Sequence, residues 1–412
     1  MSLVLTRIQN VLAQSNLDKN EYRASRYGAL DAFVAQSNDP SGILTPEMKE
    51  KARTSIGKTL ITPVIDYDGG ISISHDRPLV IQDSENTSRH LAINFATYSF
   101  GFTIAPAMYM NNEISIQRDF QTKLMKYVYK LAQVLDEAAL AAIAAAKTTV
   151  IANNLLYDKT GNIINAKWTE RENVLGDLEV IMGANDFYAP LDIVGDAGVE
   201  SIVKKLAQHG LYNDVNKANE YAGKTFHFTN NIAKGAYAAN PSGTDFVNTN
   251  NWKGQPNSPT KQQANESYVA ATPLTPVSAG QKLYAQGYAI SKGSLGMLQR
   301  FERDCLLGTI SGDGHEWGIA TLPLLNLPVG TYFYDSVGDY SGIAGVATAD
   351  MVRTRKEHYG FAVDIAFVTA YNSDPSNLAS PILGFNISNE DASYAKPVYV
   401  VNSAEFQPES NG

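Results

Sequence analysis

Hydrophobic residues recur at three- and four-residue steps along one uninterrupted run from Glu113 to about Lys147. Phe120, Leu124, Tyr127 or Val128, Leu131, Leu135, Ala138, Ala142 and Ala146 fall on one side of a helix wound at about 3.6 residues per turn. Lys123, Lys126, Lys130, Gln133 and Glu137 fall on the other side. The run predicts a spine helix of roughly 30 residues and about 45 Å, well past the usual length of about 11 to 12 residues. Something extended must pack along it.

Before this helix the pattern changes twice. Ser2 to about Ser15 and Asn20 to about Ala35 each place apolar residues on one helical face. Thr45 followed by Pro46 and Glu47 predicts a third short helix, with Thr45 as its N-cap, ending near Gly57. From Leu60 to Ile116 apolar and polar residues often alternate, as in Leu91, Ile93, Phe95 and again Tyr98, Phe100, Phe102, Ile104, which is the period of strands. Asp66-Tyr67-Asp68-Gly69-Gly70 signals a turn, and the polar tract Gln82 to His90 suits the tip of a long hairpin. Two strands alone are marginal in water, so such a hairpin is expected to lean on a neighbouring subunit.

After the spine the elements are mixed: a helix from about Glu170 to Met182, a strand at Leu191 to Val194, a helix from about Gly198 to His209 and a strand at Lys224 to Phe228. Strand-like runs return at Leu283 to Ile290, Gly360 to Ala370 and Pro397 to Asn402. The tract Lys234 to Gln281, rich in Asn, Pro, Ser, Thr and Gly, reads as a surface insertion. The fold class is α+β.

Composition narrows the functions. At 412 residues and 44% hydrophobic content the chain can bury a large core. A net charge of -9 argues against a protein that coats nucleic acid through a basic face. One cysteine, Cys305, leaves no intrachain disulfide framework and no Cys-based metal set. The N-terminus carries no signal-peptide pattern, and no apolar stretch reaches about 18 residues, so neither export nor a membrane span is expected.

Candidate chemistry concentrates in one place. Asp304, Asp313, His315 and Glu316 lie near Cys305 and Trp317, with Asp313, His315 and Glu316 as the potential metal ligands. The flanking glycines of Ser311-Gly312-Asp313-Gly314 favour a turn over a site. The chain lacks an HExxH pair, a phosphate loop and a Gly-x-Ser-x-Gly elbow. Gly195-Asp196-Ala197-Gly198 reads as a helix N-terminus turn. No cofactor is expected.

The order of parts resembles the major capsid protein of tailed bacteriophages, the Hong Kong phage-type capsid fold. Three stretches carry the likeness: Leu135-Asp136-Glu137-Ala138-Ala139-Leu140-Ala141-Ala142-Ile143 in the spine, Asp192-Ile193-Val194-Gly195 before a helix, and Ile290-Ser291-Lys292-Gly293-Ser294-Leu295-Gly296-Met297. The resemblance implies a helical N-arm (1–57), an extended hairpin loop with peripheral strands (58–112), a peripheral-domain spine helix (113–165), an axial domain with the insertion 234–281 (166–345), and returning strands with a C-terminal tail (346–412). It implies a structural protein, not an enzyme. Hexamers and pentamers would close an icosahedral shell around double-stranded DNA, without sequence-specific binding, as the virion capsid assembled in the host cytoplasm.

The implied partners are further copies of the chain, a separate scaffolding protein, a portal and a decoration protein. Arg77, Asp83, Glu85, Arg89 and His90 on the hairpin are the implied inter-subunit contacts. Self-crosslinking relatives join a hairpin lysine to an asparagine of another subunit. No lysine lies between Lys58 and Lys123, so a non-covalent shell is expected. Two other readings stay open: the shell of a bacterial nanocompartment of the same fold, and a soluble α+β hydrolase with a site near residues 304–317.

Overall fold

The spine helix is the axis on which two sheets are hung. In the computed structural model the described residues are 26–39, 42–55, 57, 59–65, 88–106, 113–146, 156–160, 163–185, 187, 190–209, 220–221, 223–232, 283–302, 305–306, 315–322, 325–339, 353–370 and 381–388. The expected helix over Ser2 to Ser15, most of the hairpin tip, the insertion and the strand over Pro397 to Asn402 lie outside them.

Two helices come first, α1 (Gly28–Ser37) and α2 (Pro46–Thr54). α1 begins later than the pattern predicts, and its first residue, Gly28, passes the backbone of Phe228, where an added Cβ would sit 2.6 Å from main-chain atoms. Only glycine fits that crossing. α2 starts as expected, with the Thr45 hydroxyl accepting the Met48 N–H at 3.2 Å and Pro46 in the first turn.

Strands β1 (Thr59–Ile65) and β2 (Ser88–Asn94) pair antiparallel into the hairpin, from Thr59 opposite Asn94 to Ile65 opposite Ser88. Ser88, Arg89 and His90 are therefore strand residues and not part of the tip, a correction to the polar-tract reading. Their partners Ile65, Val64 and Pro63 carry the ladder into the polar tract, up to the turn signal that begins at Asp66. β3 (Ala96–Ile104) follows, and its Tyr98, Phe100, Phe102 and Ile104 turn inward as the alternation predicts.

The spine α3 (Glu113–Ala146) has 34 residues, about 51 Å at 1.5 Å per residue. The remaining elements among the described residues are β4 (Asp158–Thr160), β5 (Ile163–Ala166), a 3-10 turn (Trp168–Glu170), α4 (Val174–Gly183), β6 (Leu191–Gly195), α5 (Ala197–His209), β7 (Glu220–Tyr221), β8 (Lys224–Phe228), β9 (Leu283–Ser291), β10 (Leu295–Arg300), β11 (Glu316–Leu322), β12 (Leu327–Asp339), β13 (Arg353–Thr369) and β14 (Ile382–Ser388).

One sheet, in order β10-β13-β12-β11 with β3 also on β13, is antiparallel throughout. The other runs β4-β5-β14-β9-β6-β8-β7, and β6, α5 and β8 form a parallel crossover. Strands β10 to β12 thus belong with β3 in the first sheet, and the expected 166–345 block divides between the two. The switch is a turn: β9 ends at Ser291 in one sheet, Gly293 adopts φ 86°, and β10 starts at Leu295 in the other.

The first half of α3 presents Phe120, Leu124, Val128, Leu131 and Leu135 to the first sheet, against Val329, Tyr359, Phe361 and Val363. Val128, not Tyr127, is the buried choice; Tyr127 is 38% exposed, its ring stacked on Phe100. The second half turns Ala139, Leu140, Ile143 and Ala144 into another core, with Phe33 of α1 and Val194, Tyr288 and Ile382 of the second sheet. Of the expected Ala138, Ala142 and Ala146, the last two pack against this core as partly buried residues, while Ala139, Leu140, Ile143 and Ala144 are its fully buried members. Three- and four-residue steps allow both tracks, and the residues that face Phe33 of α1 become the most deeply buried.

Candidate functional site

α1 is wedged between spine and sheets, and its first turn has no cap of its own. Tyr27 at the N-cap position makes no side-chain capping bond. The missing acceptor comes from the spine: Asp136 Oδ1 accepts the N–H groups of Ala29 and Leu30 at 2.9 and 3.0 Å. Its Oδ2 accepts the Thr229 hydroxyl and the Asn231 side-chain amide, both at 2.6 Å. A fully buried carboxylate is tolerable here because four donors surround it. Burial nevertheless outweighs the donors and lifts the carboxyl to about 6.

The far end of α1 is bound in the same way. Gln36 donates to Asp192 of β6 and accepts from the Leu295 N–H, while the Ser37 hydroxyl accepts the Met297 N–H at 2.6 Å. Phe33 meets Phe367 edge to face at 4.9 Å. One short helix therefore joins α3, β6, β8 and β10, elements of both sheets. Asp136 stood out in the sequence only within the spine stretch that carries the resemblance. Gln36, Thr229 and Asn231 carried no motif, and Asp192 stood out only as the first residue of the stretch before α5 that carries the resemblance.

The predicted helix-start turn after β6 is confirmed. Asp196 Oδ1 accepts the Val199 N–H at 3.0 Å, capping α5, and complete burial pushes its carboxyl up to about 7. Gly198 lets this helix approach β9, since a Cβ there would lie 2.1 Å from the Tyr284 carbonyl oxygen.

The root of the hairpin packs on the body. Leu60 and Ile93 are buried at its root with Leu44, Ala52, Leu298, Ala366 and Val368, whereas Ile61 is 54% exposed. Arg89 and His90 stand in β2 opposite Val64 and Pro63. Arg77, Asp83 and Glu85 lie outside the described residues.

Of the potential metal ligands, His315 and Glu316 fall among the described residues. Asp304 and Asp313 lie outside the described residues. His315 Nδ1 is 2.6 Å from the Tyr332 hydroxyl, and its ring stacks on Tyr332 and Tyr334. Trp317, Tyr332, Tyr334 and His358 extend this aromatic row on the face of the sheet turned away from α3. His358 is held on both nitrogens, by Thr103 at 2.9 Å and Ser336 at 2.7 Å. Among the described residues, no three His, Cys, Asp or Glu side chains form a metal-sized group. Beside the row lies an open cleft of about 1280 Å³, floored by Ser99, Gly101, Gly330, Gly360 and Ala362. Among the described residues no helix is long and apolar enough to cross a membrane.

No protein-family model and no curated protein matches the chain. Solved structures similar to it include one of Microbacterium phage Oxtober96, 13% identical, covering 94% of this chain and 100% of that one with a TM-score of 0.42. Another, titled as the capsid structure of the cyanophage P-SCSP1u, is 12% identical and covers 82% and 86% at a TM-score of 0.37. The cyanophage Pam1 capsid asymmetric unit is 12% identical and covers 82% and 87% at 0.40.

Proposed function

We propose that this chain is the shell-forming protein of a tailed bacteriophage, a structural protein that works by self-association. The observation that carries this reading is the contrast between a braced body and a projecting arm. A 34-residue spine and a capped wedge helix lock two sheets together, while a two-stranded hairpin leaves the body with only Leu60 and Ile93 buried among its described side chains. Two strands in water are marginal, so the hairpin gains stability by lying on another copy. Arg77, Asp83, Glu85, Arg89 and His90 are the proposed rim contacts, each worth about 0 to 1 kcal/mol, so that repetition over many copies holds the shell.

In this reading hexamers and pentamers close an icosahedral virion capsid in the host cytoplasm around double-stranded DNA, with no sequence-specific contacts. A net charge of -9 suits a container that does not bind its content tightly. A separate scaffolding protein guides assembly, a portal occupies one vertex, and the insertion 234–281 faces outward as a decoration-protein site. The shell is non-covalent, since residues 59–122 hold no lysine.

The test is to join Ile65 directly to Ser88 through an Asn-Gly turn, which suits the antiparallel register at that pair. The shortened chain is expected to fold, by circular dichroism and cooperative unfolding, and to lose assembly. Assembly equal to that of the full chain would contradict the proposal.

A further inference from the structure

Both roots of the hairpin converge on one guanidinium. Arg300, the last residue of β10, is 6% exposed. Its Nη1 donates to the Ser55 carbonyl at 3.3 Å, to the Ser55 hydroxyl at 3.2 Å and to the Gly57 carbonyl, all just before β1 begins at Thr59. Its plane lies 4.3 Å from the ring centre of Phe95, the single residue between β2 and β3. Its Nε donates to Asp364 of β13 at 2.8 Å, and the other Asp364 oxygen accepts the Thr97 hydroxyl at 2.6 Å. The chain entering the hairpin and the chain leaving it are thus tied to the same side chain, which is itself tied to the longest strand of the sheet.

We infer that Arg300 is the positioning residue that sets the angle at which the hairpin leaves the body. The geometry needs arginine. A planar fork reaches two carbonyls and a carboxylate at once while its face covers a ring, which an ammonium cannot do. Among the described residues a small apolar cluster and the Lys51 ammonium, which donates to the Ile61 carbonyl at 2.7 Å, support the same root, and Arg300 is the side chain that reaches both the entering and the leaving chain. Leverage magnifies its effect. Seven residue pairs span about 24 Å at 3.4 Å per residue, so a 10° rotation at the root moves the far end by about 4 Å. If the hairpin lies on another copy, as proposed above, a shift of that size alters the fit between neighbours. That consequence rests on the shell reading; the clamp itself does not.

The test is hydrogen–deuterium exchange by mass spectrometry on the full unassembled chain, with Arg300→Lys and Arg300→Met against the native protein. Protection of β1 and β2 is expected to fall about tenfold or more in both variants, with β6, β9 and β12 within about twofold. Unchanged hairpin protection would overturn the inference. So would an equal loss in β6, β9 and β12, which would make Arg300 an ordinary core residue. Phe95→Leu keeps the apolar packing and removes the stacking surface. It is expected to loosen the same two strands to a smaller extent, and it gives the same discrimination if Arg300→Met does not fold.

Discussion

Gln36 and Asp192 share a 2.7 Å hydrogen bond across the boundary between the wedge helix and the second sheet. The same amide accepts from Leu295 at 2.8 Å in the first sheet, so one side chain satisfies a buried carboxylate and a buried backbone N–H together. Gln36→Leu keeps the volume and removes both bonds. Leaving those groups unpaired costs about 2 to 5 kcal/mol, and urea unfolding is expected to show a loss of unfolding free energy of that size, read from a lower midpoint at unchanged slope. A change below about 1 kcal/mol would mean that Asp192 finds other partners.

Asp136 makes stability depend on pH in an unusual direction for a carboxylate. Its folded value, about 6, lies above the ordinary 3.8, so the folded chain holds a proton that the unfolded chain has released between those values. The contribution is full below about pH 4, fades as pH rises to about 6, and is constant above. Two units correspond to on the order of 3 kcal/mol at about 1.4 kcal/mol per unit. Denaturation of the native chain and of Asp136→Asn at several pH values is expected to give a difference that grows by an amount of that order from pH 7 to pH 4, in favour of the native chain. A pH-independent difference would contradict this assignment.

The part of this arrangement visible in the sequence was the part governed by periodicity. The spine ended within about one residue of its expected end, and the alternation in Tyr98, Phe100, Phe102 and Ile104 marked the buried face of β3. Partnerships across long separations were not visible. Asp136 and Ala29 are 107 residues apart, and Gln36 and Leu295 are 259 apart. The sheet exchange at Gly293 was hidden for a related reason: two apolar strands joined by a short turn look the same whether they pair together or join different sheets. His315 drew attention as a ligand type, yet the aromatic neighbours that occupy it come from β12, with no spacing rule to reveal them.

Close approach of α5 to β9 depends on residue 198 having no side chain. Gly198→Ala places a methyl 2.1 Å from the Tyr284 oxygen, so helix and strand must separate. Overpacking of this kind costs about 1 to 3 kcal/mol. Thermal unfolding is expected to show a lower midpoint, whereas Gly176→Ala, which meets nothing within 4 Å, is expected to be neutral or mildly stabilising. Equal effects at the two positions would refute the close-packing argument.

The absence of a hairpin lysine makes a chemical prediction. Assembled particles boiled in detergent are expected to run as single chains on a denaturing gel. Covalent ladders would overturn the non-covalent reading and direct attention to lysines elsewhere in the chain.

The most direct test of the shell proposal is the mass of what the chain forms in solution. Size-exclusion chromatography with light scattering, followed by negative-stain imaging of the same peak, is predicted to show closed particles of uniform diameter or rings of five and six copies. A single monomer or dimer at every concentration, with and without the scaffolding partner, would contradict the account.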